Sequence, residues 1–217
     1  MPQKINYQLI SIPIVGPARK TTDAAIRAER EWNPHKIYET KGENRGPDVV
    51  RYRYGEDDGN PWCATFFNYV YNPKHENGHN VFGLSDVAVK STQNILKAAK
   101  KDNCFAAANS DYTPTVGDGL IWSNDDGSYH GHIGIVTVVY PDGSFDTIQG
   151  NNNDKVEKIR YSSVQDAMKR ISSSGDPQTL QGFVKMTDRN AQKYLASTFE
   201  NPDGHIDHPD AQIDMLA

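Results

Sequence analysis

The chain has 217 residues, 36% of them hydrophobic and 24% charged, enough for one well-cored domain with room for a tail. A net charge of −5 with no compensating Lys/Arg cluster argues against a nucleic-acid partner and against adhesion to an anionic membrane or envelope. The two cysteines, Cys63 and Cys104, make no disulfide framework, and neither has the CxxC or CxxH company of a metal site.

In chain order, the first segment, MPQKINYQLISIPIVGPARK, has one early lysine and a short apolar stretch that Pro13 interrupts. It reads as an extended segment packing on the domain rather than as a cleaved signal, and no stretch is long enough to span a bilayer, so no membrane insertion is expected. Thr21-Thr22-Asp23 is placed to cap a helix through AAIRAEREW that Asn33-Pro34 should stop. Pro47 suits the first turn of a short helix, PDVVRYRY. A turn cluster, Asp57-Asp58-Gly59-Asn60-Pro61, precedes Trp62, Phe66, Phe67, Val70 and Tyr71 at helical spacing, which puts Cys63 in the first turn of a buried helix. Ser85 should cap one helix over DVAVKSTQNILKAAKK, with Ala88, Ile95 and Ala99 on its apolar face.

From residue 113 the period changes. GLIW (119–122), HIGIVTVVY (132–140), SFDTIQG (144–150), EKIRY (157–161) and GFVKM (182–186) read as strands, with 140–144 a hairpin connection. Helices followed by an antiparallel sheet make an α+β fold. Beyond about residue 190 the acidic, turn-rich sequence reads as a short helix and loose tail.

A cysteine at a helix start sits where backbone N–H groups and the dipole stabilise a thiolate. To act as a nucleophile it needs a base. His132, opening the most hydrophobic strand, is the fixed candidate. His130 lies in a freer loop, His35, His75 and His79 in polar loops that read as solvated, and the tail pair His205/His208 is weak evidence for a metal. Period-2 alternation places Gln149 and Asn151 on one face of their strand, where either amide oxygen could accept the His132 Nδ1–H bond. Without such a setting Cys104 reads as a core residue.

The words PWCATF (61–66), YTPTVGD (112–118) leading into a strand, HIGIV (132–136) and TIQGN (147–151), in that order, resemble the CHAP domains. These are papain-like cysteine amidases and endopeptidases that cut the peptide part of bacterial peptidoglycan. NRGPDVVRY (44–52) looks like the segment preceding their nucleophile, and the resemblance covers roughly residues 40 to 187. It divides the chain into an N-terminal segment and helix packing on the domain (1–39), a CHAP-like catalytic domain (40–187) and a C-terminal helix and acidic tail (188–217). It implies a papain-like α+β fold, with the nucleophile at a helix start packed on a C-terminal antiparallel sheet.

By that resemblance Cys63 is the nucleophile, with its own backbone N–H helping to hold the oxyanion, and His132 is the base. Asn151 carries over directly, whereas Gln149 stands where the family often has glutamate, so the third member is either amide. Asp118 matches a family position read as structural. Some relatives bind calcium before the cysteine, but Asp57 and Asp58 fall short of the about six to eight oxygens that ion takes, and a solvated turn is expected, with no metal and no cofactor. The implied activity is acyl transfer on a stem peptide or its link to the glycan. The thiol of such an enzyme is expected to react with iodoacetamide near pH 6, where an ordinary thiol is inert.

The features of the chain fit an antibacterial effector. It would be made in the cytoplasm, delivered by a secretion system to the periplasm or wall of a target bacterium, and countered in its producer by a periplasmic immunity protein. A phage endolysin of the same chemistry, a papain-like toxin acting on proteins and a non-catalytic binding module are the alternatives.

Overall fold

A computed structural model of the chain describes residues 17–32, 37–75 and 80–186. The expected extended N-terminus, the Asn33-Pro34 stop, the C-terminal helix and tail, and His35, His79, His205 and His208 lie outside the described residues.

Among the described residues five α-helices precede or interrupt a seven-stranded sheet. Helix α1, Pro17–Trp32, begins before the expected Thr21–Asp23 cap, so those residues lie within it; Pro17 is tolerated in a first turn, which lacks N–H acceptors anyway. Ala24 and Ala28 bury one face against the domain, and Arg27 Nε reaches the Val70 carbonyl at 2.5 Å. Helix α2, Pro47–Tyr52, buries Val49 and Tyr52, and the Tyr52 ring stacks on Trp62 at 5.5 Å. Helix α3, Cys63–Tyr71, is the core helix, with Ala64, Phe66, Phe67 and Val70 all buried. The single helix expected from Ser85 is broken. A 3-10 turn spans Ala88–Lys90, Ser91 is extended, and α4 runs Thr92–Lys101. Ser85 Oγ does cap the 3-10 turn, accepting from the Ala88 N–H at 3.2 Å. The Ala88 carbonyl, which a continuous α-helix would bond to the Thr92 N–H, accepts from the Ser91 N–H at 3.3 Å and from Asn94 Nδ2 at 3.0 Å. Val89 is buried in place of the expected Ala88.

The strands are β1 Phe105–Ala107, β2 Gly119–Asn124, β3 Gly131–Val139, β4 Phe145–Asn152, β5 Lys155–Tyr161, β6 Lys169–Ile171 and β7 Pro177–Val184, with the short α5, Val164–Ala167, between β5 and β6. Their order is β1-β7-β2-β3-β4-β5, with β6 pairing β7, and every pairing is antiparallel. The β3–β4 connection closes as the sequence requires, with Tyr140 N–H bonded to the Ser144 carbonyl at 2.9 Å and Asp142 accepting from Ser144.

Both faces of the sheet are covered, which is why its central strands read as continuous apolar runs. One core packs Phe66, Phe67, Ile121, Ile133, Ile135 and Ile148 between helices and sheet. A second, on the opposite face, gathers Leu120, Trp122, Phe145, Tyr161, Leu180 and Phe183. The approach of α3 to the sheet depends on Gly150: a Cβ there would lie 2.5 Å from Phe66 Cβ. The result is an α+β fold with helices leading and an antiparallel sheet following, consistent with the papain-like CHAP architecture.

Candidate active site

Cys63 is the first residue of α3. Trp62, the N-cap, offers no side-chain acceptor, so the first-turn N–H groups are not consumed by a cap. The Trp62 indole fixes this start by donating to Glu39 Oε1 at 2.8 Å, while Glu39 Oε2 accepts from the Asn44 N–H. Cys63 is 5% exposed, and its thiolate is favoured by the backbone N–H groups of Ala64 and of Ile133, the residue following His132. Helix α3 packs against β3.

His132 is also 5% exposed. It is registered opposite Trp122 of β2, with ring centroids 6.0 Å apart. Its Nε2 lies 2.9 Å from Gln149 Oε1 on β4. The amide orientation follows from its other end: Gln149 Nε2 donates to Thr147 Oγ1 at 2.9 Å and to Tyr161 OH at 3.2 Å, so the oxygen faces the ring. Nε2 therefore carries the proton and Nδ1 is left as the acceptor nitrogen, the reverse of the expected Nδ1–H bond. Gly134 makes this possible, because a Cβ there would sit 2.7 Å from Gln149 Cγ.

The two amides part company. The β4–β5 register shifts between Gln149 and Asn152, and Asn151 takes a left-handed φ of 54° within that bulge. Period-2 alternation fails there, and Asn151 Nδ2 donates to Asn44 Oδ1 at 3.0 Å instead of meeting His132. Asn151 thus fastens the loop ahead of α2 to the sheet. Arg170 and Tyr161, which border this centre, carried no motif, and Thr147 opens the word TIQGN without being singled out.

Burial governs the charge states. It pushes the Cys63 thiol up, against the pull of the Ile133 and Ala64 N–H groups and the Arg170 charge. It pushes His132 well below the usual imidazole range, Arg170 adds to this, and the Gln149 bond opposes it. Both directions favour a neutral thiol beside a neutral imidazole, because Gln149 supplies no counter-charge for an imidazolium. The thiolate fraction then rises about tenfold per pH unit up to a thiol pKa above the ordinary one. Alkylation of Cys63 by iodoacetamide is therefore expected to be slow at pH 6 and to climb steadily through pH 9, contrary to fast labelling near pH 6. A rate plateau already reached below pH 7 would contradict this and establish a preformed ion pair.

The remaining candidates fall elsewhere. His130 is exposed in the turn before β3. His75 is not simply solvated: it stacks on Tyr54 at 4.1 Å and pairs with Asp86 at 2.9 Å. Cys104 is fully buried, its Sγ 3.2 Å from the Asp102 carbonyl. Asp118 is buried and structural, its Oδ2 accepting from Tyr112 OH at 2.6 Å and from the Thr115 N–H at 2.8 Å. The Asp57-Asp58 turn is more than solvated, since Arg45 pairs with Asp57 at 2.8 Å while Arg53 and Lys90 pair with Asp58 at 3.0 and 2.6 Å. Those cations occupy the carboxylates a calcium ion would need. Among the described residues no group of three or more His, Cys, Asp or Glu could hold a metal, and no helix is long and apolar enough to cross a membrane.

The start of α3, packed against β3 on helices leading into an antiparallel sheet, fits the fold of papain-like cysteine hydrolases. The family model of the CHAP domain matches residues 55–151, a span holding Cys63, His132, Gln149 and Asn151, and the chain carries a CHAP domain. That family is generally one of hydrolases, cysteine peptidases and amidases associated with peptidoglycan. Neither the curated proteins nor the solved structures contain a match to this chain.

Proposed function

We propose that the chain hydrolyses an amide of bacterial peptidoglycan, in the stem peptide or at its link to the glycan, through Cys63 and His132. The observation that supports this reading is the packing of α3, which begins at Cys63, against β3, whose His132 is aligned by Gln149. His132 Nδ1 takes the thiol proton as the sulfur attacks the carbonyl. The Cys63 N–H, at the positive end of α3, helps hold the oxyanion. The imidazolium, unsupported by a carboxylate, returns its proton readily to the departing amine. Water, activated by the neutral imidazole, then cleaves the thioester and restores the thiol.

The net charge of −5 gives the protein no attraction for an anionic wall, so encounter depends on delivery. This supports an antibacterial effector injected into the periplasm of a target cell, with an immunity protein covering the Cys63 cleft in the producer. Expression in a Gram-negative host is expected to lyse cells only when a periplasmic export signal is added, and never with Cys63→Ala. Equal toxicity from the cytoplasm would contradict this and favour a protein-modifying toxin.

A further inference from the structure

Arg170 lies outside the matched CHAP segment, in the middle of β6 opposite Gln178 of β7. Its guanidinium donates to Gln178 Oε1 at 2.7 Å and to Asn152 Oδ1 at 2.5 Å. It also lies 5.5 Å from the centre of the Trp122 ring, the ring that borders His132 on its other side. Asn152 is three residues beyond Gln149, so Arg170 bridges β6 and β7 to the strand that orients the histidine.

Both of its acceptors are neutral amides. Of the five N–H donors of a guanidinium, these bonds use two, and no carboxylate lies within ion-pair distance among the described residues. The contrast within the molecule is clear: Arg45, Arg51, Arg53, Lys90, Lys158, Arg160 and Lys169 each pair with an acidic side chain. Glu157, which accepts from Asn152 Nδ2, acts on Arg170 through its charge without forming an ion pair with it. Burial of this cation opposes its charge, the residue stays partly exposed, and its charge pulls the Cys63 thiol toward the thiolate against the larger push of burial. A half-buried guanidinium with spare, forked donors beside a nucleophile is built to receive a planar anion.

We propose that Arg170 binds a carboxylate of the substrate adjacent to the amide that Cys63 attacks, making the enzyme selective for peptides that carry a free carboxylate beside the scissile bond. The inference rests on the hydrolase reading above for the word substrate, but the anion site itself can be tested without one. Cys63 in the full chain is alkylated with iodoacetate, which carries a carboxylate, and with iodoacetamide, the neutral form of the same reagent. The rates are read at the Cys63 peptide by mass spectrometry. At one pH both reactions share the same thiolate fraction, so their ratio reports anion recognition alone.

The iodoacetate-to-iodoacetamide ratio is expected to exceed that of free mercaptoethanol. It should fall at least about tenfold in Arg170→Gln, the effect of losing one charge-assisted contact, and by less in Arg170→Lys. A wild-type ratio at or below that of mercaptoethanol would overturn the proposal whether or not the variants fold, as would an unchanged ratio in folded Arg170→Gln. A protein that shows the expected ratios but leaves peptidoglycan intact would keep the carboxylate site and lose the wall-hydrolase reading.

Discussion

Cys63→Ala and His132→Ala are each expected to lower amide hydrolysis by roughly three decades or more, the scale seen when a nucleophile or its base is deleted. The first leaves the helix-start N–H groups with no sulfur to hold. The second leaves the thiol, already disfavoured as thiolate by burial, with no group to take its proton. Neither should unfold the protein. Cys63 is buried at the start of α3, but Cys63→Ala removes only its sulfur, and His132→Ala removes a single ring at the rim of the second core. Cys104→Ala is the control: its sulfur is fully buried and away from the centre, so the change should cost about 1 kcal/mol of stability with turnover unchanged. Hydrolysis of a purified substrate and thermal melting of each variant check this. Activity within tenfold of wild type in either dyad variant would sink the assignment.

Gln149→Ala is expected to cost more than Asn151→Ala. Gln149 Oε1 is the acceptor 2.9 Å from His132 Nε2, and a hydrogen bond to a group that becomes charged is worth about 1.5–3 kcal/mol. That is roughly one to two decades in turnover. Asn151 contacts Asn44 rather than the imidazole, so Asn151→Ala should loosen the 40s loop and lower the melting temperature with little effect on turnover. Gly134→Ala should mimic Gln149→Ala, because its Cβ would displace the glutamine side chain. Gln149→Glu carries a sign of its own: a carboxylate favours the imidazolium and with it the thiolate, so the alkylation profile of Cys63 should move to lower pH. Turnover lost in Asn151→Ala and kept in Gln149→Ala would reverse the roles.

Much of this arrangement was legible in the residues because local chemistry decided it. The apolar spacing after Asn60-Pro61 places Cys63 at a helix start, and the β-branched run from His132 marks a strand opening on a fixed histidine. What escaped was non-local. The bulge that turns Asn151 away depends on β4 pairing with β5 out of register, which alternation along β4 alone does not reveal. At the break before Ser91 the Ala88 carbonyl takes the Ser91 N–H and Asn94 Nδ2, a local bonding pattern that helical periodicity does not report. Strands β1 and β6 are three residues each and exist because β7 offers them an edge. Arg170 belongs to the second of these, so its place near the thiol emerges only when the sheet is assembled.

The most direct test of the account is digestion of purified peptidoglycan, with the new termini identified by mass spectrometry. Wild-type protein is predicted to release fragments bearing a new carboxyl and a new amino terminus at one kind of amide, and Cys63→Ala to release none. Intact peptidoglycan after treatment with folded wild-type protein, or the same fragments from Cys63→Ala, would contradict it.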